Sequence, residues 1–211
     1  MLKLQVVVGS TREGRNADRV LRWLLPQVLA HKAFELELLD LREWKLPLFQ
    51  ETLETIGDRA NPTYSDPAVK LWNNKIKEAD AYLIVTPEYN HSVPGVLKNA
   101  IDSVFISYGF RHKPVAFTGY SMGVGAGVRS VEHLNQIMLE AEAVPIRTQI
   151  LIPFIHNAFD GEGNPASPML NISLPVVLDD LAWMAKALKT ARAEGQLPPP
   201  TARMSRAAAK K

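Results

Sequence analysis

The sequence predicts a three-layer, doubly wound α/β domain built on a five-stranded parallel sheet. Apolar, β-rich runs alternate with segments of helical periodicity along the 211 residues, at spacings that suit strand-helix-strand crossovers. The strand runs are continuously apolar instead of alternating, as expected of strands covered on both faces. With 46% hydrophobic and 22% charged residues, the chain has the composition of one ordinary globular core and not of a disordered or fibrous protein.

Each element follows from its local pattern. Residues 2–8, LKLQVVV, form the first strand and end at Gly9. Residues 17–30 then place Val20, Leu21, Leu24, Leu25 and Val28 at helical spacing. Residues 35–39 read as the second strand, and a long irregular stretch through Trp44, Pro47, Phe49, Gly57 and Pro62 follows. Within it Trp44, Leu46, Pro47, Leu48 and Phe49 read as a lid folded over the sheet edge. A helix over 66–79 opens on Asp66 as N-cap and Pro67 at the first helical position. Residues 81–86, AYLIVT, give a third strand closed by Pro87, and a helix is expected over 94–104. Residues 115–118 are the fourth strand, 127–143 the next helix and 146–152 the fifth strand. A long helix over 174–193 carries Val177, Leu178, Leu181, Met184, Ala185 and Leu188 on one face. The single domain is expected to span 1–194, with 195–211 as a solvated, mobile Pro/Ala/basic tail.

Composition removes several classes of function. No apolar run approaches the roughly 18 to 20 residues that cross a bilayer, and the opening MLKLQVVVGS is too short and too soon polar for a signal peptide, so a cytoplasmic protein is expected. The absence of cysteine removes a dithiol centre, a thiolate metal site and a cysteine nucleophile, so redox chemistry must come from a bound cofactor. The net charge of +2 is a property of the tail, where Arg203, Arg206, Lys210 and Lys211 meet no acid; without those four, 20 bases face 22 acids, a net charge of −2. The body therefore offers no charge argument for nucleic acid. The five histidines are scattered, without metal-ligand spacing.

In doubly wound sheets, ligands bind beyond the carboxyl ends of the strands where the strand order reverses. Three loops fall there. The first, GSTREGRN at 9–16, holds glycines, hydroxyls, an amide and the guanidinium groups of Arg12 and Arg15, the inventory of a phosphate cradle. It lacks the spacing of a P-loop or a dinucleotide fingerprint, and an ordinary polar turn looks similar. The second, TPEYNHSVPG at 86–95, is stiffened by two prolines and sets Glu88, Tyr89, Asn90 and His91 together. The third, GYSMGVGAG at 119–127, contains a formal G-x-S-x-G around Ser121. A serine hydrolase needs an acid and then a histidine later in the chain, and no histidine follows Asp160, Asp179 or Asp180. Close backbone approach to a flat ligand uses the glycines better.

Taken together, VVVGSTREGRN at 6–16, DLREWKLPLFQE at 40–51, VTPEYNHSVPGVLKNAID at 85–102 and KPVAFTGYSMGVGAGVRSVEHL at 113–134 resemble the NADPH-dependent FMN reductase family of flavodoxin-like proteins. The resemblance implies strand order 2-1-3-4-5, a homodimer or homotetramer, one FMN per subunit, and NADPH or NADH as electron donor. It implies that Ser10, Arg12 and Asn16 hold the FMN phosphate. Pro87, Glu88, Tyr89 and Asn90 would line the isoalloxazine and ribityl chain, with Ser121, Met122, Gly123 and Gly125 closing the other side. Backbone N–H groups around Glu88 to Asn90 and of the third loop are expected to stabilise charge on the reduced ring.

No side chain need act as a nucleophile and no metal is implied. The electron acceptor would be a small molecule such as free flavin, a quinone, an azo compound or a metal oxyanion. The alternatives are a flavin-bearing electron carrier or redox sensor without nicotinamide turnover and, more remotely, a hydrolase using Ser121. The chain departs from the commonest family pattern at His91, where glycine is frequent, at Ser103, where tryptophan is frequent, and at Asn16, where serine is frequent. Arg12, Arg15, Arg111 and Arg129 are all candidates for the extra phosphate of NADPH.

Overall fold

The computed structural model describes residues 1–58, 61–195 and 197–209. Strands β1 (Leu2–Val8), β2 (Phe34–Asp40), β3 (Ala81–Pro87) and β4 (Pro114–Tyr120) run parallel in the order 2-1-3-4. The fifth position is shared by two short pieces, β5 (Val144–Pro145) and β6 (Ile150–Ile152), both parallel to β4. The expected order 2-1-3-4-5 is therefore found, but the single strand expected over 146–152 is not. Pro145 sits opposite Val115 and Ile150 opposite Thr118, so five steps on the edge chain face three on β4 and two residues bulge outward. Thr148 and Gln149, in the bulge, bond to Asp180 and Asn135 instead of to a ladder.

Helices cover both faces. On one side, α1 (Ala17–Ala30) and α6 (Pro168–Glu194) pack Val20, Leu24, Leu174 and Leu181 against Val6, Val8 and Val85. On the other, α3 (Pro67–Lys77), α4 (Gly95–Asp102) and α5 (Val128–Glu140) pack Trp72, Leu97 and Leu134 against Val7, Ile84 and Phe117. Neighbouring strand residues are thus buried on opposite faces, which is why β3, β4 and the second half of β1 are largely apolar. β2, at the edge, interleaves Glu35 and Glu37 with Phe34, Leu36 and Leu38.

The Asp66 carboxylate caps α3 as expected, accepting from the amides of Ala68 and Val69. A short helix α2 (Leu41–Trp44) follows β2. The segment after it is fastened to α4 by Asn99, whose side chain accepts from Phe49 N–H and donates to the Pro47 carbonyl. Trp44 packs edge-on to Trp72, so the expected lid covers the α3/α4 side, although Leu48 stays outside it at 77% exposure.

Two C-terminal features differ from expectation. α6 begins six residues before 174, with Pro168 in its first turn, and runs through Pro175 on its exposed face, where the carbonyl left without its helical partner meets water. The tail contains a solvated helix α7 (Pro200–Ala208): the third of three prolines starts a helix instead of only ending one. Lys210 and Lys211 lie outside the described residues. No helix among the described residues is long and apolar enough to cross a membrane.

Candidate functional site

β1, β3 and β4 end side by side, with Val8 opposite Val85 and Pro87 opposite Tyr120, so the three loops singled out in the sequence meet at one pole. They enclose a cavity of about 310 Å³, the lower end of the range for small-molecule sites.

The β1–α1 loop is held by Arg15. This buried guanidinium donates to Asp18 Oδ1 at 2.8 Å, to Asp40 Oδ1 and the Ser10 carbonyl at 2.6 Å each, and pairs with Asp40 a second time. Burial of Asp40 works against its charge, but Arg15 and the Arg42 amide outweigh that and hold its carboxyl below the ordinary value. Arg15 is thereby committed to the fold, which corrects its candidacy for a nicotinamide phosphate. Arg12 is exposed at the cavity and lies over the Tyr89 ring, 3.7 Å from its centroid. Asn16 precedes α1 without capping it through its side chain, and although the Asp18 and Arg19 amides bond to the Arg15 and Asn16 carbonyls, the positive end of the helix dipole is open to an anion.

The β3–α4 loop turns tightly. Tyr89 and Ser92 exchange backbone hydrogen bonds of 2.9 and 3.1 Å, and both residues between them have positive φ, Asn90 at 49° and His91 at 69°. This is a two-residue turn of the type that prefers glycine second, which explains why His91 is a departure with a cost. The Tyr89 hydroxyl and Ser10 Oγ share a hydrogen bond of 2.7 Å. Glu88 pairs with the guanidinium of Arg129 and accepts from its backbone N–H. The amides of Glu88 and Tyr89 are already bonded to the Tyr120 and Ser92 carbonyls, so two of the N–H groups expected to serve the ring belong to the fold.

The loop after β4 is shaped by Gly127. A Cβ there would lie 2.5 Å from the Tyr120 backbone nitrogen, and its φ is +81°; only glycine lets α5 start so close to the strand end. Ser121 Oγ donates to the Gly123 carbonyl at 3.0 Å, while His133 Nδ1 bonds Ser92 Oγ. The serine of the G-x-S-x-G is therefore occupied within its own turn, with no triad built around it. Met122 reaches across to the Asn16 amide, 3.8 Å from Sδ to Nδ2.

Of the residues the resemblance selects, the cavity wall contains Arg12, Asn16, Pro87, Glu88, Tyr89, Ser121 and Met122. Ser10 stands behind Tyr89, fully buried, Asn90 is at the exposed turn tip, and Gly123 and Gly125 follow Met122 outside the wall. Arg111 is remote: it pairs with Glu142 and donates to the Pro198 carbonyl near the opposite end of β4, so its candidacy for the nicotinamide phosphate fails. Phe110 is buried edge-on to Tyr82, away from the cavity.

Sequence reasoning passes over Tyr120 and Ile155, which also line the cavity. The Tyr120 hydroxyl is buried without a hydrogen-bond partner, and burial raises its pKa above the ordinary value. An uncapped helix start, a surface arginine and an orphaned buried hydroxyl around one pocket form a donor set that fits a phosphate group.

Comparison with known proteins agrees. The chain is 33% identical over 165 residues to an NAD(P)H-dependent FMN reductase of Pseudomonas aeruginosa, covering 77% of this chain and 83% of that one. A quinone reductase of Pseudomonas putida is 40% identical over 140 residues, 64% of this chain and 68% of the other. In structure, the chain superimposes on the flavoenzyme NAD(P)H:(acceptor) oxidoreductase FerB of Paracoccus denitrificans with a TM-score of 0.72 at 25% identity, covering 89% of this chain and 98% of that one. With residues 2–157 also matching the family described as NADPH-dependent FMN reductase, the chain belongs to that family.

Proposed function

We propose that this protein binds FMN at the pole where the three loops meet and works as an NAD(P)H-dependent oxidoreductase that reduces a small acceptor such as a quinone. The observation that carries the reading is the convergence of a phosphate-type donor set and an aromatic wall in one cavity of a chain of this family. When bound, FMN supplies the chemistry, taking hydride from the nicotinamide and passing electrons to the acceptor.

The chain's own residues bind and orient. Arg12, Asn16 and the start of α1 hold the phosphate, and Ser10 acts through Tyr89, whose hydroxyl it fixes. Pro87, Glu88 and Tyr89 on one side and Ser121 and Met122 on the other wall the flavin. Asn90, Gly123 and Gly125 meet the ligand only where it extends past the enclosed part. Glu88 is kept in place by Arg129, so Arg12 is the arginine of this wall that meets the flavin phosphate without first releasing a carboxylate. The activity is placed in the cytoplasm and in a homodimer or homotetramer; the exposed apolar stripe of Met169, Ile172, Val176 and Trp183 on α6 supports self-association.

The test is the visible spectrum of the purified protein, followed by anaerobic NADPH and NADH. Flavin bands that bleach with either nucleotide are expected, and the faster donor is the preferred one. Bands that persist with both point to the carrier alternative. A colourless protein that takes up no added FMN sinks the proposal.

A further inference from the structure

The orphaned hydroxyl of Tyr120 has a use once its surroundings are considered. The side chain lies on the same sheet face as Ala116, with α1 and α6, while Val115 and Phe117 point to the other face. From the end of β4 it therefore reaches over β3 toward the start of α1. The groups that act on its hydroxyl are Ser10, near enough to count as a hydrogen-bonding neighbour though not in good geometry, and Arg15, Asp18 and Tyr89 through their charge, three of the four from the β1–α1 loop and first helical turn. Ser10 is engaged with Tyr89, and Arg15 is committed to Asp40, Asp18 and the Ser10 carbonyl. Tyr120 is 3% exposed and its Oη has no partner. Leaving a buried donor unmade costs the fold stability, so the protein carries a cost here that a ligand oxygen can remove.

Resting on the FMN reading above, we propose that Tyr120 Oη donates a hydrogen bond to the FMN phosphate and is a residue by which this chain tells FMN from unphosphorylated flavin. The acceptor is the phosphate because the groups nearest the hydroxyl, Ser10, Arg15 and Asp18, belong to the loop and first turn of α1, and the α1 N-terminus and Arg12 on the same cavity wall gather the positive potential that an anion occupies. A hydroxyl can serve an anion only as donor, and burial keeps this one protonated. A phenylalanine in its place keeps the packing and deletes the donor alone.

The experiment titrates flavin-free wild-type and Tyr120→Phe protein with FMN and with riboflavin, following quenching of flavin fluorescence, and melts both proteins without flavin. A hydrogen bond to a charged oxygen predicts an FMN Kd weaker by about 10- to 100-fold in Tyr120→Phe, with the riboflavin Kd unchanged. The flavin-free variant is expected to melt at the same or a higher temperature, because an unmade donor has been removed. Equal weakening toward both flavins, an unchanged FMN Kd, or a lower melting temperature overturns the assignment. Failure of the wild-type protein to bind FMN overturns the cofactor reading itself; wild-type binding matched by the variant overturns only the role of Tyr120.

Discussion

The two ends of the parallel sheet use their polar groups in opposite ways. At the end where the strands begin, Lys113 is buried and its ammonium donates to the carbonyls of Lys77 at 2.8 Å, Gly109 at 2.9 Å and Ile76 at 3.2 Å, and to Tyr82 Oη at 3.2 Å. Asp80 accepts from the Lys3 backbone, Lys189 and Arg192, and Arg111 pairs with Glu142. At the end where the strands finish, Arg12 rests on an aromatic ring, Tyr120 Oη is unpaired, and Asn90 and His91 hold positive φ. Dense polar pairing at one pole closes helix ends and ties β1 to α6 through Asp80. An unpaired hydroxyl and an exposed cation at the other are what a binding site keeps in reserve; positive φ occurs at both ends, with Tyr108, His112 and Glu142 at the first. Substitutions at the first pole should therefore cost stability and spare flavin binding, and those at the second should do the reverse.

The largest effect is expected from Lys113→Met, which takes the donor from the Lys77 carbonyl at the end of α3 and leaves Ile76 and Gly109 to Tyr82 Oη. A loss of about 2 to 4 kcal/mol in urea unfolding is expected, with FMN affinity changed by no more than about twofold, since the cavity is remote. The loss should depend on pH. Burial, reinforced by the like charge of Arg192, pushes the Lys113 pKa down to about 7, while in the unfolded chain it returns to its ordinary value near 10.5. Between these values the unfolded chain holds the extra proton, so the wild-type contribution from Lys113 grows as pH rises. Unfolding at pH 6.5 and pH 9 should show the deficit of Lys113→Met widening. A constant deficit would mean the carbonyls keep the ammonium charged throughout.

Next in size is Arg12→Ala, at the opposite pole. Removing the guanidinium from the proposed phosphate site should weaken FMN binding by about 1.5 to 3 kcal/mol, read by fluorescence titration. Unfolding without flavin should change little, because the flavin-free protein gives up only an exposed cation resting on a ring. If FMN affinity is unchanged and stability falls, Arg12 belongs with Arg15 among the residues that hold the loop, and the contrast between the poles weakens.

Much of this contrast is legible in the sequence, and the remainder shows where such legibility ends. The parallel sheet and the three loops follow from local features: continuous apolar runs, Gly9, Pro87, and the Asp66 and Pro67 helix start; the strand order follows only from the family resemblance. Arg12 and Arg15 are equivalent by composition, and only pairing with Asp40, 25 residues away, makes one structural and the other available. Tyr120 stands inside the G-x-S-x-G as a spacer between glycine and serine. Its importance depends on which sheet face it takes and on the absence of a partner, properties of packing and not of motif. The edge strand departs from its expected span because a bulge is defined by register against β4, and the α6 start does so because Pro175 looks like a helix beginning when it lies within one.

The smallest expected effect bears on the strain at the binding pole. His91 holds a φ of 69° directly after Asn90 at 49°, the two-residue turn in which glycine is favoured second. A non-glycine residue in that region carries a cost of roughly 1 to 2 kcal/mol, and glycine returns part of the gain through the greater freedom of the unfolded chain. His91→Gly should therefore stabilise the flavin-free protein by about 0.5 to 1 kcal/mol, or roughly 1 to 4 °C in Tm for a chain of this size. Calorimetry of the flavin-free protein measures it. A gain in stability would show that the fold alone does not select histidine there. A lower Tm would mean that the ring stabilises the turn by more than the backbone loses, and His91 would then count with Lys113 among residues that serve the fold.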